Sequence, residues 1–225
     1  MFSENQELLE RTGWFPTEAA SWRWWGGLNT RDKIVISSIL VQQQSWETVK
    51  STLDRIHRSG YSTLSSMSGL SVPQMERLLR NLNFYKTKAR RLLKIAKSSA
   101  EPGRLERMLR LENRDELLDL EGIGEETADS LLLFAGNQLT LPISAYVRRV
   151  LERVLQKEST PKELRAMCRD SLPSDLYSYK LFYAGLSTVG KAFCHPNLPD
   201  CTNCILNQFC SFGAKARMNV SQAEM

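Results

Sequence analysis

Strand signals are scarce along these 225 residues, which argues against a sheet-based fold. No segment approaches the ~18 consecutive apolar residues of a membrane span. The most apolar stretch, Ile34 to Val41, is broken by Ser37 and Ser38. The opening residues, MFSENQELLER, are polar and acidic and lack the apolar heart of a secretory signal. An intracellular protein with no membrane partner is therefore expected, cytoplasmic, and nucleoid-associated in a prokaryote. Also missing are a 20–50-residue repeat and a low-complexity linker. With 42% hydrophobic and 24% charged residues, the composition is that of a globular chain rather than a disordered one.

Helical periodicity fills the space that strands do not. Apolar stripes at 3.6-residue spacing predict helices over 32–43, 46–56, 72–82, 85–96, 112–120, 127–135, 146–155, 161–170 and 174–189. Pro73 and Pro161 stand where a helix tolerates proline, at its start. The expected class is all-α, about ten helices joined by short loops. The aromatic run WRWWGG at 22–27 reads as a cluster covering one end of the core.

The net charge of +5 favours a polyanionic partner. Lys86, Lys88, Arg90, Arg91 and Lys94 form one basic run, and Arg148 and Arg149 a second. Such runs are often plain solvated faces, but they also suit a phosphate track.

Five cysteines are unevenly spread. Cys168 stands alone in a helical pattern, as a small buried apolar residue would. Cys194, Cys201, Cys204 and Cys210 fall in the pattern C-x6-C-x2-C-x5-C. In a reducing compartment such clustering points to a metal rather than disulfides. Four thiolates can hold zinc or an iron–sulfur cubane. One C-x2-C knuckle with two longer, unequal arms suits the cubane better.

One further stretch, LEGIGEETAD at 120–129, poses a question. A Gly-x-Gly turn opening a helix presents backbone N–H groups to an anion, yet this turn carries Glu121, Glu125, Glu126 and Asp129. Gly122 and Gly124 can adopt positive φ and let a phosphate approach the amides around Ile123 to Glu125. Glu125 and Glu126 then suit the helix dipole.

The cysteine pattern at the end of an all-α chain of this length resembles the iron–sulfur loop of the endonuclease III family of helix-hairpin-helix DNA glycosylases. The stretch LLDLEGIGEETADSLLLFA at 117–135 is similar to that family's hairpin. ILVQQQSWETVKSTLDRI, LNFYKTKARRLLKIA, PISAYVRRVLERV and YAGLSTVGKAFC resemble further family segments, so the likeness covers most of residues 28–210. It implies a two-lobed fold. A helical barrel would span 28–138, with the hairpin at about 112–136. Residues 1–27 and 139–212 would form the other lobe, holding a [4Fe–4S] cluster at 194–210, and 213–225 a flexible tail.

The resemblance also implies roles. Gln43, Phe84 and Tyr85 stand where loops wedge into duplex DNA, Gly122 and Gly124 where a phosphate is gripped, and Lys88 and Arg149 beside them on the basic runs. The partner would be double-stranded DNA carrying a damaged base or an abasic site, and the protein a monomer. Two positions depart from the family. Glu126 stands where bifunctional members carry a lysine nucleophile, and Ser144 where an aspartate acts. Glu126, Asp129 and Tyr146 resemble the branch that includes 3-methyladenine glycosylases. The expected function is excision of a damaged, possibly alkylated base, without lysine-dependent strand cleavage, with Glu126, Ser144 and Tyr146 as the catalytic candidates. The alternatives are a binder of distorted DNA that excises nothing and an abasic-site lyase using another amine.

Overall fold

The computed structural model describes residues 1–214. In chain order the helices are α1 (Gln6–Arg11), α2 (Arg31–Leu40), α3 (Trp46–Arg58), α4 (Leu64–Met67), α5 (Val72–Leu79), α6 (Tyr85–Ser98), α7 (Arg104–Met108), α8 (Arg114–Leu118), α9 (Glu125–Phe134), α10 (Ala145–Leu155), α11 (Pro161–Ser171) and α12 (Leu176–Ala192). Among the described residues no strand forms, only an isolated bridge between Trp14 and Trp25. The class is all-α, and no helix is long and apolar enough to cross a membrane. Most helices start on a side-chain cap. The hydroxyls or carboxylate of Thr30, Ser45, Thr63, Ser144, Thr160 and Asp175 each accept an N–H of the first turn.

The chain divides into two compact units. The unit Leu28–Gln138 is built on two helices that are apolar all round. Residues Ile34 to Leu40 of α2 and Ala128 to Phe134 of α9 are all buried, as a helix enclosed by others must be. α2 packs on α3, α6 and α9, and α5 packs on α6. The periodic pattern at 32–43 overshoots the end of α2. The helix stops at Leu40, and Gln43 turns into the left-handed region at φ 54°. Helices α1, α4 and α7 are four to six residues long, too short for a periodic stripe to reveal them.

The other unit combines residues 1–27 with 139 onward. Its centre is α12, buried from Tyr179 to Gly190, packed against α1 and α10. A Cβ at Gly190 would lie 2.6 Å from the Tyr146 Cβ and 3.1 Å from its Cα, so glycine lets the two backbones meet. The aromatic run is a core element here. Trp24 is fully buried, its indole donates to the Glu18 carbonyl at 3.1 Å, and its ring meets Tyr177 edge-on at 5.4 Å. Lys180 is also buried, with Nζ donating to the carbonyls of Ala19 (2.8 Å) and Ser21 (3.2 Å). Burial pulls its pKa down to about 8. Cys168 is buried as expected, its thiol pushed up to about 11 by burial. Of the tail, residues 215–225 lie outside the described residues.

The close approach at Gly190 gives a stability prediction. Gly190→Leu must push α10 from α12, an overpacking that costs ~1–3 kcal/mol. For a chain of this size the melting temperature should fall by about 2–12 °C, and an unchanged melt would show that the helices can separate freely.

Candidate nucleic-acid interface and cysteine centre

The hairpin is α8, the turn at 119–124 and α9. Gly122 sits at φ +89°, and a Cβ there would come within 2.4 Å of Arg91 Cδ and 2.6 Å of its Nε. Glycine is required twice over, for backbone handedness and for space. Gly124 differs from the sequence expectation. It is extended, at φ −91° and ψ 179°, as the N-cap of α9, and a Cβ on it would meet nothing within 4 Å. The amides also shift by one position. Ile123 N–H donates to the Leu120 carbonyl at 3.0 Å and is not available to an anion. The first helical bond runs from Ala128 N–H to Gly124 O at 2.9 Å. The amides just before it have no acceptor within the helix, and Gly124 has no side chain with which to cap them. The anion-receiving face is thus the first turn of α9.

The acids around the turn have separate tasks. Asp129 is fully buried and takes a bidentate bond from Arg114 of α8, Nε to Oδ1 at 2.7 Å and Nη2 to Oδ2 at 3.1 Å. Glu125 lies 4.0 Å from the same guanidinium. Glu121 faces Arg91 at 3.5 Å. Glu126 has no cationic partner among the described residues. Water reaches part of its side chain, yet the surrounding protein desolvates its carboxyl and pushes its pKa above the ordinary carboxylate value.

The two wedge candidates are brought together. Gln43 (φ 54°) and Phe84 (φ 55°) are both left-handed without being glycine, an uncommon state that clusters at functional sites. Phe84 is 65% exposed, so it is not a core aromatic. Asn83 ties the loops, its N–H donating to Gln44 Oε1 at 3.0 Å and its Nδ2 to the Gln43 carbonyl at 3.3 Å. Behind Asn83, Asn81 Nδ2 donates to Thr52 Oγ1 at 2.9 Å, and Arg55 donates to the Leu78 carbonyl and to Asn81. Tyr85 is half-buried as the first residue of α6. Gln42, Gln43, Phe84, Thr87, Lys88 and Arg91 line one open pocket of about 200 Å³. Gln42 links pocket to hairpin, with Nε2 donating to the Gly122 carbonyl at 3.0 Å and Oε1 facing Arg91 Nη1 at 3.4 Å.

Both basic runs need correction. Lys86, Arg90 and Lys94 are exposed along α6, but Lys88 points inward. It is 3% exposed and its Nζ donates to the Leu40 carbonyl at 2.8 Å, closing the C-terminus of α2. Burial lowers its pKa. Arg149 is committed as well. Its guanidinium donates to the carbonyls of Cys194 (2.7 Å) and Gly190 (3.0 Å) and lies 5.4 Å from the Tyr146 ring centre. Arg148 pairs with Glu152 one turn on, at 2.8 Å. Neither Lys88 nor the 148–149 pair is a free cation for a phosphate track.

Ser144 is the N-cap of α10, 4% exposed, its hydroxyl accepting Val147 N–H at 3.2 Å. Tyr146 follows in the first turn, 40% exposed. Both belong to the unit built on α12, whereas Glu126 belongs to the unit 28–138.

Cys194, Cys201, Cys204 and Cys210 line a common pocket with Arg153, Leu206 and Phe212. Among the described residues no three His, Cys, Asp or Glu side chains are placed to hold a single metal ion. Four thiols around one space, too far apart for one ion, fit a larger inorganic unit better than zinc. Arg153 was missed by the sequence reading. It donates to Cys194 Sγ at 3.2 Å and to the carbonyls of His195 (2.7 Å) and Pro196 (2.6 Å). The signal was its spacing, one helical turn after Arg149 on α10, so that both reach the same loop.

A hairpin with a glycine turn, set in an all-helical chain with a cysteine-bearing loop, defines the helix-hairpin-helix DNA glycosylase fold. The family model for the HhH-GPD superfamily of base excision DNA repair proteins matches residues 36–174, and the chain belongs to that superfamily. A Methanocaldococcus jannaschii protein, provisionally named a DNA repair glycosylase, is 30% identical over 195 residues, spanning 83% of this chain and 88% of its own. Endonuclease III of Thermotoga maritima is 26% identical over 183 residues, 80% and 82% of the two chains. Among solved structures, a thermostable thymine-DNA glycosylase superposes with TM-score 0.72 at 20% identity over 95% of each chain.

The two glycines of the turn should respond differently to substitution. Gly122→Ala forces a side chain into a left-handed site, at ~1–2 kcal/mol, and displaces Arg91. Gly124→Ala meets no obstacle and loses only a modest capping preference. Thermal unfolding should therefore drop by several degrees for Gly122→Ala and by less than half as much for Gly124→Ala. The reverse order would contradict the assigned turn.

Proposed function

We propose that the protein is a DNA N-glycosylase that extrudes a damaged base from duplex DNA and hydrolyses its glycosidic bond without an enzyme–sugar Schiff base. The observation that carries this is the pair of left-handed residues Gln43 and Phe84, tied together by Asn83 beside the hairpin turn. An exposed phenylalanine held in an unfavourable conformation is poorly explained by folding alone. It is well suited to entering a base stack, the usual route to base extrusion. Membership of the superfamily, and the provisional name of the 30% identical relative, support the same reading.

The chemistry falls to Glu126. Breaking the glycosidic bond develops positive charge on the sugar, water adds at the anomeric carbon, and the base leaves with the bonding electrons and takes up a proton. Glu126, ionised and without a cationic partner, can stabilise that charge and orient the water. Ser144 cannot do so, because a hydroxyl carries no charge at neutral pH. Losing one preorganised charge costs on the order of 10²–10³ in rate, which favours substrates whose bond is already weakened, cationic alkylated purines above all. The hairpin contributes its first-turn amides to a phosphate, and Lys86, Arg90 and Lys94 supply cations nearby. The commitment of Ser144 to capping α10 favours a second reading, a binder of distorted DNA that excises nothing.

The four cysteines would hold a [4Fe–4S] cluster. It would fasten residues 194–210 to α10 through Arg149 and Arg153, and no step of excision passes through it. Purified under reducing, anaerobic conditions, the protein should be yellow-brown with broad absorbance near ~400 nm. A colourless protein with stoichiometric zinc would reject the cluster.

An excision assay on duplexes bearing alkylated, oxidised, deaminated and mismatched bases tests the function. Slow release of alkylated purines is expected, with little borohydride trapping on abasic-site DNA, since position 126 offers no amine. The desolvated Glu126 carboxyl protonates at a higher pH than an ordinary carboxylate. Excision should therefore fall on acidification with its midpoint above the usual carboxylate range, and Glu126→Gln should abolish both the activity and that acid limb while leaving DNA affinity nearly intact. Ser144→Asp, still a competent cap, should raise excision. No release by either protein across the panel, with binding retained, would replace the enzyme by the binder. Efficient trapping would favour a lyase.

A further inference from the structure

The pocket at the wedge loops has a one-sided chemistry. We infer that it receives the base left unpaired by extrusion, that guanine is the preferred occupant, and that Arg91 is the specificity-determining side chain. This rests on the glycosylase reading above and adds to it a choice of partner base.

The pocket offers about 200 Å³, several times the ~30 Å³ share of one water molecule. The exposed Phe84 ring stands on its rim as a surface on which a base can stack. Its charged lining residues are both cations, Lys88 and Arg91, with no carboxylate among the six that line it. Lys88 Nζ gives one hydrogen to the Leu40 carbonyl at 2.8 Å, and an ammonium has two more. Gln42 is spent, since both ends of its amide are engaged, one at the Gly122 carbonyl and one facing Arg91.

Arg91 is held loosely. Its contacts to Gln42 Oε1 (3.4 Å) and Glu121 Oε1 (3.5 Å) lie beyond the usual 2.7–3.2 Å of an N–H···O bond. Glu121 is 59% exposed, so that ion pair is weak and readily exchanged. The guanidinium can therefore turn a fork of two N–H donors into the pocket.

Two parallel donors select for two adjacent acceptors. Guanine presents O6 and N7 side by side. Adenine sets an N6 donor beside N7, cytosine presents an N4 donor, and thymine a single O4 beside a methyl group. Against a fork backed by a second cation, each of these three either repels a donor or leaves one unpaired. Gln43, exposed and carrying both a donor and an acceptor, adapts to any partner and adds no preference.

The test is equilibrium binding at one fixed salt concentration to four duplexes, each with a tetrahydrofuran abasic-site analogue opposite G, A, C or T. Wild type, Arg91→Gln and Arg91→Lys are compared. Wild type should bind the duplex with guanine about 5- to 150-fold more tightly than the other three, the discrimination typical of one bidentate pair. Arg91→Gln should erase that ratio and leave the other three affinities nearly unchanged. Arg91→Lys, a point charge without a fork, should recover little of it. The ratio is taken within one protein sample, so partial unfolding of a variant does not mimic the result. A wild type indifferent to the partner base, or an Arg91→Gln that weakens all four equally, overturns the inference and makes Arg91 a phosphate contact or a clamp on the turn. If wild type binds none of the four better than undamaged duplex, the glycosylase reading fails first and this inference with it.

Discussion

A single buried charge organises the unit 28–138. Asp129 lies within the stretch of α9 that has no exposed side, and a carboxylate there is tolerable only with a partner. Arg114 supplies it from α8 in fork geometry. Removing one member of such a pair costs ~3–5 kcal/mol, because the other is left buried and uncompensated. The pair therefore does more than add stability. It fixes the angle at which α8 hands over to α9, and so the path of the turn at 119–124. The left-handed Gly122 and the direction of the first-turn amides follow from it. Arg91 and Gln42 then grip that turn from outside, which carries the same constraint to Gln43, the next residue of the wedge loop.

The acidic turn in a basic chain is thereby explained residue by residue. Asp129 is structural. Glu125 and Glu121 each balance a nearby arginine. Backbone amides rather than side chains meet the anion, so acids can stand beside the phosphate site without spoiling it, and at the start of α9 they suit the helix dipole. What is left is Glu126, unpaired among the described residues and desolvated. A carboxylate kept in that state has a cost that folding does not require, which is why chemistry is the better account of it.

Sequence patterns revealed the helices whose apolar stripes span two turns or more, the glycine turn and the gathering of the four cysteines. They failed where side-chain direction decides. Lys88 sits amid Lys86, Arg90, Arg91 and Lys94 and reads as one more surface cation, yet its place on α6 turns it toward the open carbonyls at the end of α2. Arg149 likewise reads as a phosphate ligand, but the carbonyls at Gly190 and Cys194 claim it. In both cases a helix C-terminus, with its unsatisfied acceptors, competed with nucleic acid for the cation and won. That competitor lies 41 to 48 residues away in the chain, where no local pattern can show it. The strain at Gln43 and Phe84 was equally hidden, since neither is a residue type that signals positive φ.

Ser144 shows how a fold can lose a chemical group without losing its shape. Serine and aspartate are nearly equal as N-caps, so the start of α10 does not select between them. Charge does. At 4% exposure, an ionised carboxylate at 144 would need compensation for its lost hydration, and its one observed bond is to the Val147 amide. The hydroxyl makes the same bond without that penalty. A chain with serine here keeps the helix and avoids burying a charge, and the chemistry that an aspartate would have supplied must come from a carboxylate held elsewhere. Glu126 meets that requirement because it is only partly desolvated: ionised at neutral pH, yet far enough from bulk water for its charge to act on a neighbouring sugar.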